Sequence, residues 1–214
     1  MTHILLLNPN TSVDTTAMMV DIARSYVPEY MVVIGVTAES GVPMITTEAE
    51  LDAAAQEVVA CWQRQREQPA GMIVSAFGDP GLGQLRAMTD VPIVGLCEAA
   101  MLEASEEGRR FGVATVTPDL VTPIDQRAFS LQLSDQYTGI RLTLGNPREL
   151  ANDPQKLIEA LAVAIEQSIA IDGAEAVIIG GGPLGQAASA LTGRFSVPII
   201  APVPAATRQL MRLL

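Results

Sequence analysis

Residues 72–95 read MIVSAFGDPGLGQLRAMTDVPIVG, and residues 176–201 read AVIIGGGPLGQAASALTGRFSVPIIA. Both open on a short apolar run and pass through a Gly- and Pro-bearing loop. Both then show Leu-Gly-Gln, a helix-like stretch and a closing Val-Pro-Ile. Pro80 corresponds to Pro183, an offset of 183 − 80 = 103, and Pro92 to Pro198, an offset of 198 − 92 = 106. The opening LLLNPNTS echoes VATVTPDL at 117 − 10 = 107. A period near half the chain means two similar units side by side, not a solenoid of many repeats.

Apolar runs at 3–7, 31–36, 72–75, 92–96, 111–116, 140–144, 176–179 and 197–201 are β-branched or Leu-rich. They are mostly continuous rather than alternating, which is how strands buried on both faces read. Helical spacing runs between them. It is clearest at 47–65, through Leu51, Ala54, Val58 and Trp62, and at 154–171, through Leu157, Leu161, Ile165 and Ile169. Alternating strands and helices predict an α/β fold of two pseudo-symmetric lobes, each a parallel sheet flanked by helices. The lobes are expected at 1–96 and 97–203 with no flexible linker between them, and 204–214 is expected to be a helix packed back on the first lobe.

Composition narrows the function. The 214 residues are 49% hydrophobic and 17% charged, with a formal charge of −11. Phosphates would be repelled, so no nucleic-acid partner is expected. No apolar run nears the ~20 residues that cross a bilayer, so no membrane partner is expected either. The first residues carry no basic region or small-residue cleavage site, and a cytoplasmic location is expected. Two isolated cysteines, Cys61 and Cys97, and one histidine, His3, give no metal-ligand spacing and no Ser-His-Asp triad.

Ligands of open α/β sheets bind at the carboxyl ends of strands, so two facing lobes would bring four loops together. These are 8–12, 75–82, 115–118 and 180–184. From them Asn10, Thr11, Ser12, Ser75, Ala76, Phe77, Thr117, Gly181, Gly182 and Pro183 are the candidate substrate-binding residues. Each loop precedes a helix, whose unpaired N–H groups suit a carboxylate or an enolate-like oxygen. The purely structural reading competes: Thr11, Ser12 and Asp119 are good N-caps. The glycines do not make a dinucleotide or P-loop signature.

At these residues the chain resembles the Asp/Glu racemase superfamily, and within it the hydantoin/allantoin racemase group. LLLNPNTS resembles that group's opening loop, and SAFGDPGL its CFGDPGL. VPIVGLCEAA resembles PVVGIAEAA, and AEAVIIGGGPLG resembles EAIVLGCAGM. TAESGVPMITTEAELDAA matches more loosely. The resemblance implies two pseudo-symmetric lobes, a site between them and no cofactor. In the racemases it resembles, one thiolate removes a proton from carbon and an opposed thiol returns one on the other face. Thiols suit this because their pKa can be brought near working pH. This chain departs at those positions. The first cysteine of the pattern falls on Ala76 and the second on Gly181, and their separation, 181 − 76 = 105, keeps the register of the repeat.

Two-thiol racemisation is therefore not expected. Three explanations stay open: a relative using other chemistry, a variant stripped of its thiols, and a small-anion binder without turnover. Decarboxylase and isomerase branches of the superfamily also depend on cysteine and do not restore a mechanism. If a lyase or hydrolase operates in the same cleft, Asp79 and Glu98 are the candidate catalytic acids. Asp79 stands at a helix start, which lowers a carboxyl pKa and makes a weak base near neutrality unless the group is buried. Capping is its structural alternative, and stabilisation of a first helical turn is that of Glu98. The expected partners are a small anionic or carbonyl substrate and further copies of the same chain, in a homo-oligomer.

Overall fold

A computed structural model describes residues 2–214, the side chain of Pro183 excepted. The first half runs β1 (Thr2–Asn8), α1 (Val13–Arg24), β2 (Met31–Thr37), α2 (Glu48–Gln63), β3 (Gly71–Val74), α3 (Leu82–Met88), β4 (Ile93–Gly95) and α4 (Leu96–Ala104). The second runs β5 (Phe111–Thr115), α5 (Val121–Ser130), β6 (Tyr137–Leu142), α6 (Pro147–Ala151), α7 (Pro154–Ala170), β7 (Ala176–Ile179), α8 (Gly185–Leu191), β8 (Ile199–Ile200) and α9 (Pro202–Leu213).

Two parallel four-stranded sheets result, ordered β2-β1-β3-β4 and β6-β5-β7-β8. Adding four to each strand number of the first gives the second, so the sequence repeat is a repeat of topology. The central strands β1, β3, β5 and β7 are continuous apolar runs because helices cover both their faces. The edge strands are less uniform. β6 is half-buried and begins three residues earlier than the sequence indicates, beside a register shift at Phe111–Gly112. The two long helices start where capping chemistry dictates. Thr47 and Glu50 form a reciprocal capping box on α2, and Asp153 caps α7 ahead of Pro154.

Apolar side chains form three layers. Outside the first sheet, Val58 and Cys61 of α2 pack with Leu82, Leu85, Leu5 and Met72. Outside the second, Leu161 and Ile165 of α7 pack with Leu191, Val177 and Ile179. The middle layer belongs to both lobes. Ile4, Leu6 and Ile73 share one core with Phe111, Val113 and Ile178, through α1, α4, α5 and α9. Helix α4 follows β4 with no intervening residue and touches β7, β8, α5 and α9. Helix α9 lies against α1, α4, β3 and β4, back on the first sheet. Its close approach depends on Gly71, where a Cβ would stand 2.7 Å from a Leu210 methyl.

Candidate functional site

The carboxyl ends of β1, β3, β5 and β7 meet between the lobes around a cavity. With its open mouth it leaves about 560 Å³ of empty space. Asn10, Ser75, Ala76 and Phe77 line it from the first lobe, joined by Met44 and Ile45 from the connection after β2. Val116, Thr117, Leu120, Ile124, the three glycines 180–182 and Leu184 line it from the second. The loops are in close contact. A Cβ on Gly182 would lie 3.3 Å from the Ser75 carbonyl oxygen, and one on Gly180 would lie 3.4 Å from the Phe77 ring and 2.7 Å from a Val113 methyl.

Local hydrogen bonds fix the polar atoms. Asn8, fully buried at the end of β1, donates from Nδ2 to Asn10 Oδ1 at 2.9 Å and to Thr16 Oγ1 at 2.9 Å. Asn10 Oδ1 also accepts from the Ser12 backbone N–H at 2.9 Å. A backbone N–H can only donate, so the orientation of the Asn10 amide is set, and its Nδ2 has no protein acceptor among the described residues. Across the cavity, the Thr115 hydroxyl donates to the Gly180 carbonyl at 2.7 Å. Its contact with Thr117 Oγ1, at 3.3 Å, therefore casts Thr117 as donor and turns that oxygen's lone pairs outward as acceptors. The Ser75 hydroxyl sits 3.4 Å from the Ile73 carbonyl, too long for a firm bond. No charged side chain lines the cavity among the described residues.

Of the expected ligand-contacting residues, Asn10, Ser75, Ala76, Phe77, Thr117, Gly181 and Gly182 come together here. Thr11 and Ser12 are not among the lining residues. Ser12 is the N-cap of α1, accepting from Thr15, and Thr11 donates its N–H to the Val42 carbonyl. The side chain of Pro183 lies outside the described residues. Met44, Ile45, Leu120 and Ile124, which form the apolar wall, had no chemical signal to single them out.

Asp79 and Glu98 stand elsewhere, behind the loop. Asp79 has a left-handed backbone, φ 54°, which short polar residues tolerate. It does not cap α3, which follows its own loop. Its Oδ1 accepts from the Cys97 N–H and its Oδ2 from the Glu98 N–H, both at 2.8 Å, so it caps α4 from across the sheet. The approach requires Gly95, where a Cβ would fall 2.2 Å from the Asp79 carboxyl carbon. Arg127 of α5 donates from Nε to Asp79 at 3.0 Å and from Nη2 to Glu98 at 2.9 Å. Arg86 of α3 holds both oxygens of Glu98, at 2.7 and 3.1 Å. A helix start should lower the Asp79 pKa, yet burial outweighs Arg127 and the two N–H bonds and pushes it up to about 6. Burial, reinforced by Asp79, keeps the Cys97 thiol protonated, and burial raises Cys61 also. Among the described residues no group of three or more His, Cys, Asp or Glu could hold a metal ion. No described helix is long and apolar enough to cross a membrane.

Two parallel lobes of equal strand order, closing on a cavity at their strand ends, define a pseudo-symmetric two-lobed α/β protein. Residues 4–210 match the Asp/Glu/hydantoin racemase family, and the chain belongs to it. It is 27% identical to a hydantoin racemase of Paenarthrobacter aurescens, over 96% of this chain and 88% of that protein. With a hydantoin racemase of Rhizobium meliloti the identity is 28%, over 99% of this chain and 88% of the relative. The allantoin racemase structure from Pseudomonas fluorescens superimposes with a TM-score of 0.94 at 25% identity, covering 99% of this chain and 90% of that one. The chain is thus an enzyme of the racemase superfamily.

Proposed function

We propose that the cavity takes a small, uncharged carbonyl compound with a neighbouring N–H, a hydantoin-like ring or open amide, and that its chemistry does not run through two thiols. The observation that carries this reading is a lining with a donor in Asn10 and an acceptor in Thr117 but no charged side chain. A carboxylate would meet no cation there, whereas a neutral amide can use both groups. The names of the hydantoin and allantoin racemase relatives supply the ring class. Ala76 and Gly181 are read as the positions of the two thiols of the resembled group. With no basic side chain in the lining, hydroxide or buffer base entering through the open mouth would take the proton from the carbon next to the carbonyl, and Asn10 and Ser75 would donate to the enolate-like oxygen that forms. A lyase or hydrolase using Asp79 or Glu98 has less support, since neither lines the cavity and their oxygens are occupied. A cytoplasmic homo-oligomer belongs to the same reading, and exposed Phe129 and Leu144 are surfaces that self-assembly could cover.

The test is deuterium exchange at the ring carbon of a 5-substituted hydantoin, beside thermal stabilisation by the same compound. The unaltered protein should be stabilised and should exchange faster than buffer alone, with or without iodoacetamide. The Ala76→Cys/Gly181→Cys double variant should gain exchange that iodoacetamide abolishes. Gly181 has an extended backbone, φ 170°, and the nearest atoms to an added Cβ there belong to the flexible Leu184 side chain, at 3.0 Å. No stabilisation, and no exchange by either protein, would overturn the reading.

A further inference from the structure

We propose that Arg127 is a positioning residue of the inter-lobe cavity: through one guanidinium it ties the Ala76–Asp79 loop and the start of α4 to α5, whose Ile124, with Leu120 just before the helix, forms the opposite wall. The proposal deepens the site described above, and rests on that reading only for its effect on ligand binding.

The contacts come from three elements. The Asp79 side chain is wholly buried and that of Glu98 is 10% exposed, while Arg127 reaches them from α5 at 22% exposure. Asp79 lies three residues beyond Ala76, and Arg127 three residues beyond Ile124, one helical turn from the wall. Two buried carboxylates beside each other repel and are stable together only with shared cations. Arg86 serves Glu98, but among the described residues Asp79 has no cation other than Arg127. The guanidinium fork spans both acids at once, which an ammonium, a single compact donor group, does not reproduce. The polar contact therefore fixes how far apart the two walls stand, while the cavity side of the walls stays uncharged.

Hydrogen exchange of the ligand-free protein tests this directly. Four bonded amides report on the contact: Ser75 to the Leu7 carbonyl, Asp79 to the Ala76 carbonyl, and Cys97 and Glu98 to the Asp79 carboxylate. In Arg127→Met, peptides spanning 75–79 and 96–98 should exchange about tenfold faster or more, while peptides of β1 and β7 keep their protection. Arg127→Lys should show the same local loss. The control Arg141→Met, which breaks the pair with Asp172 elsewhere in the second lobe, should leave 75–79 unchanged. Unchanged exchange at 75–79 in Arg127→Met overturns the proposal, as does an equal rise in all core strands. Full protection in Arg127→Lys would show that charge alone suffices and would also overturn it. If Arg127→Met does not fold, the Lys variant decides. Because no ligand is present, these results stand apart from whether a hydantoin binds.

Discussion

The loops after β3 and β7 occupy equivalent places in the two lobes but are held by different physics. The first is locked by charge. Asp79 spends its carboxylate on two N–H groups of α4 and on Arg127, and so connects three elements. The second is locked by shape. Gly180 is wedged against Val113, Thr115 and Phe77, and the Thr115 hydroxyl holds its carbonyl. A duplicated topology has thus kept its strand order while one copy stabilises its loop through ions and the other through close packing. The uncharged cavity between them follows, because the only acid in either loop is turned to structural use.

Removing Asp79 attacks the first loop where it is most committed. Asp79→Ala leaves the Arg127 Nε and two N–H groups of α4 without their acceptor, while Arg127 keeps Glu98, and should cost about 2–4 kcal/mol in urea unfolding at neutral pH. A loss below about 1 kcal/mol would mean that the polar lock is not what holds this side.

The native Asp79 carboxyl keeps its proton up to about pH 6, against 3.8 for an ordinary carboxyl. Between those values the native state binds more protons than the unfolded one. The Asp79 contribution to stability therefore rises as pH falls from 7 toward 4, and declines again as pH climbs through 6. Arg127 from α5 and Glu98 and Cys97 from α4 are the groups that face it, with Arg86 of α3 acting through Glu98. The gain should be at most about 3 kcal/mol and should be absent from Asp79→Asn, compared by chemical denaturation at pH 7 and pH 5. Parallel pH curves for the two proteins would remove the carboxylate from the comparison.

The shape-locked loop has its own test. Gly180→Ala would press a Cβ to 2.7 Å from Val113 and should cost about 1–3 kcal/mol. Gly181→Ala, one residue away with extended backbone, should cost less than about 1 kcal/mol. Equal losses in thermal melts would show that the packing at Gly180 is not specific. The smallest effect belongs to Ser75→Ala: stability should move by less than about 0.5 kcal/mol, because the hydroxyl makes only one long contact. Affinity for a hydantoin probe, measured by calorimetry, should still fall by up to about tenfold if that hydroxyl meets ligand.

Much of this architecture can be read in the sequence. Continuous β-branched runs announce buried parallel strands, and the repeat of SAFGDPGLGQ in GGGPLGQ announces two like lobes, because both signals are local. The cavity was legible at its loops for the same reason: Asn10, Ser75, Thr117 and Gly181 sit at recognisable strand ends. Its apolar wall was not, since Ile124 and Leu120 look like any buried face of a helix. Asp79 could be recognised as a helix cap, but not as the cap of α4 rather than α3. That depends on Gly95 admitting it and on Arg127, 48 residues away. Its raised pKa follows from burial, which a helix-start argument does not contain.

The absence of any residue between β4 and α4 has a consequence for how a ligand gets in. A helix that continues directly from one sheet and packs on the other leaves no joint at which the lobes could swing apart as rigid halves. The middle core, common to both, opposes such a motion further. The part of the cavity wall that lies outside this shared framework is the stretch between β2 and α2, where Met44 and Ile45 are half-buried and belong to no helix or strand. The molecule is then built less like a closing jaw than like a fixed chamber.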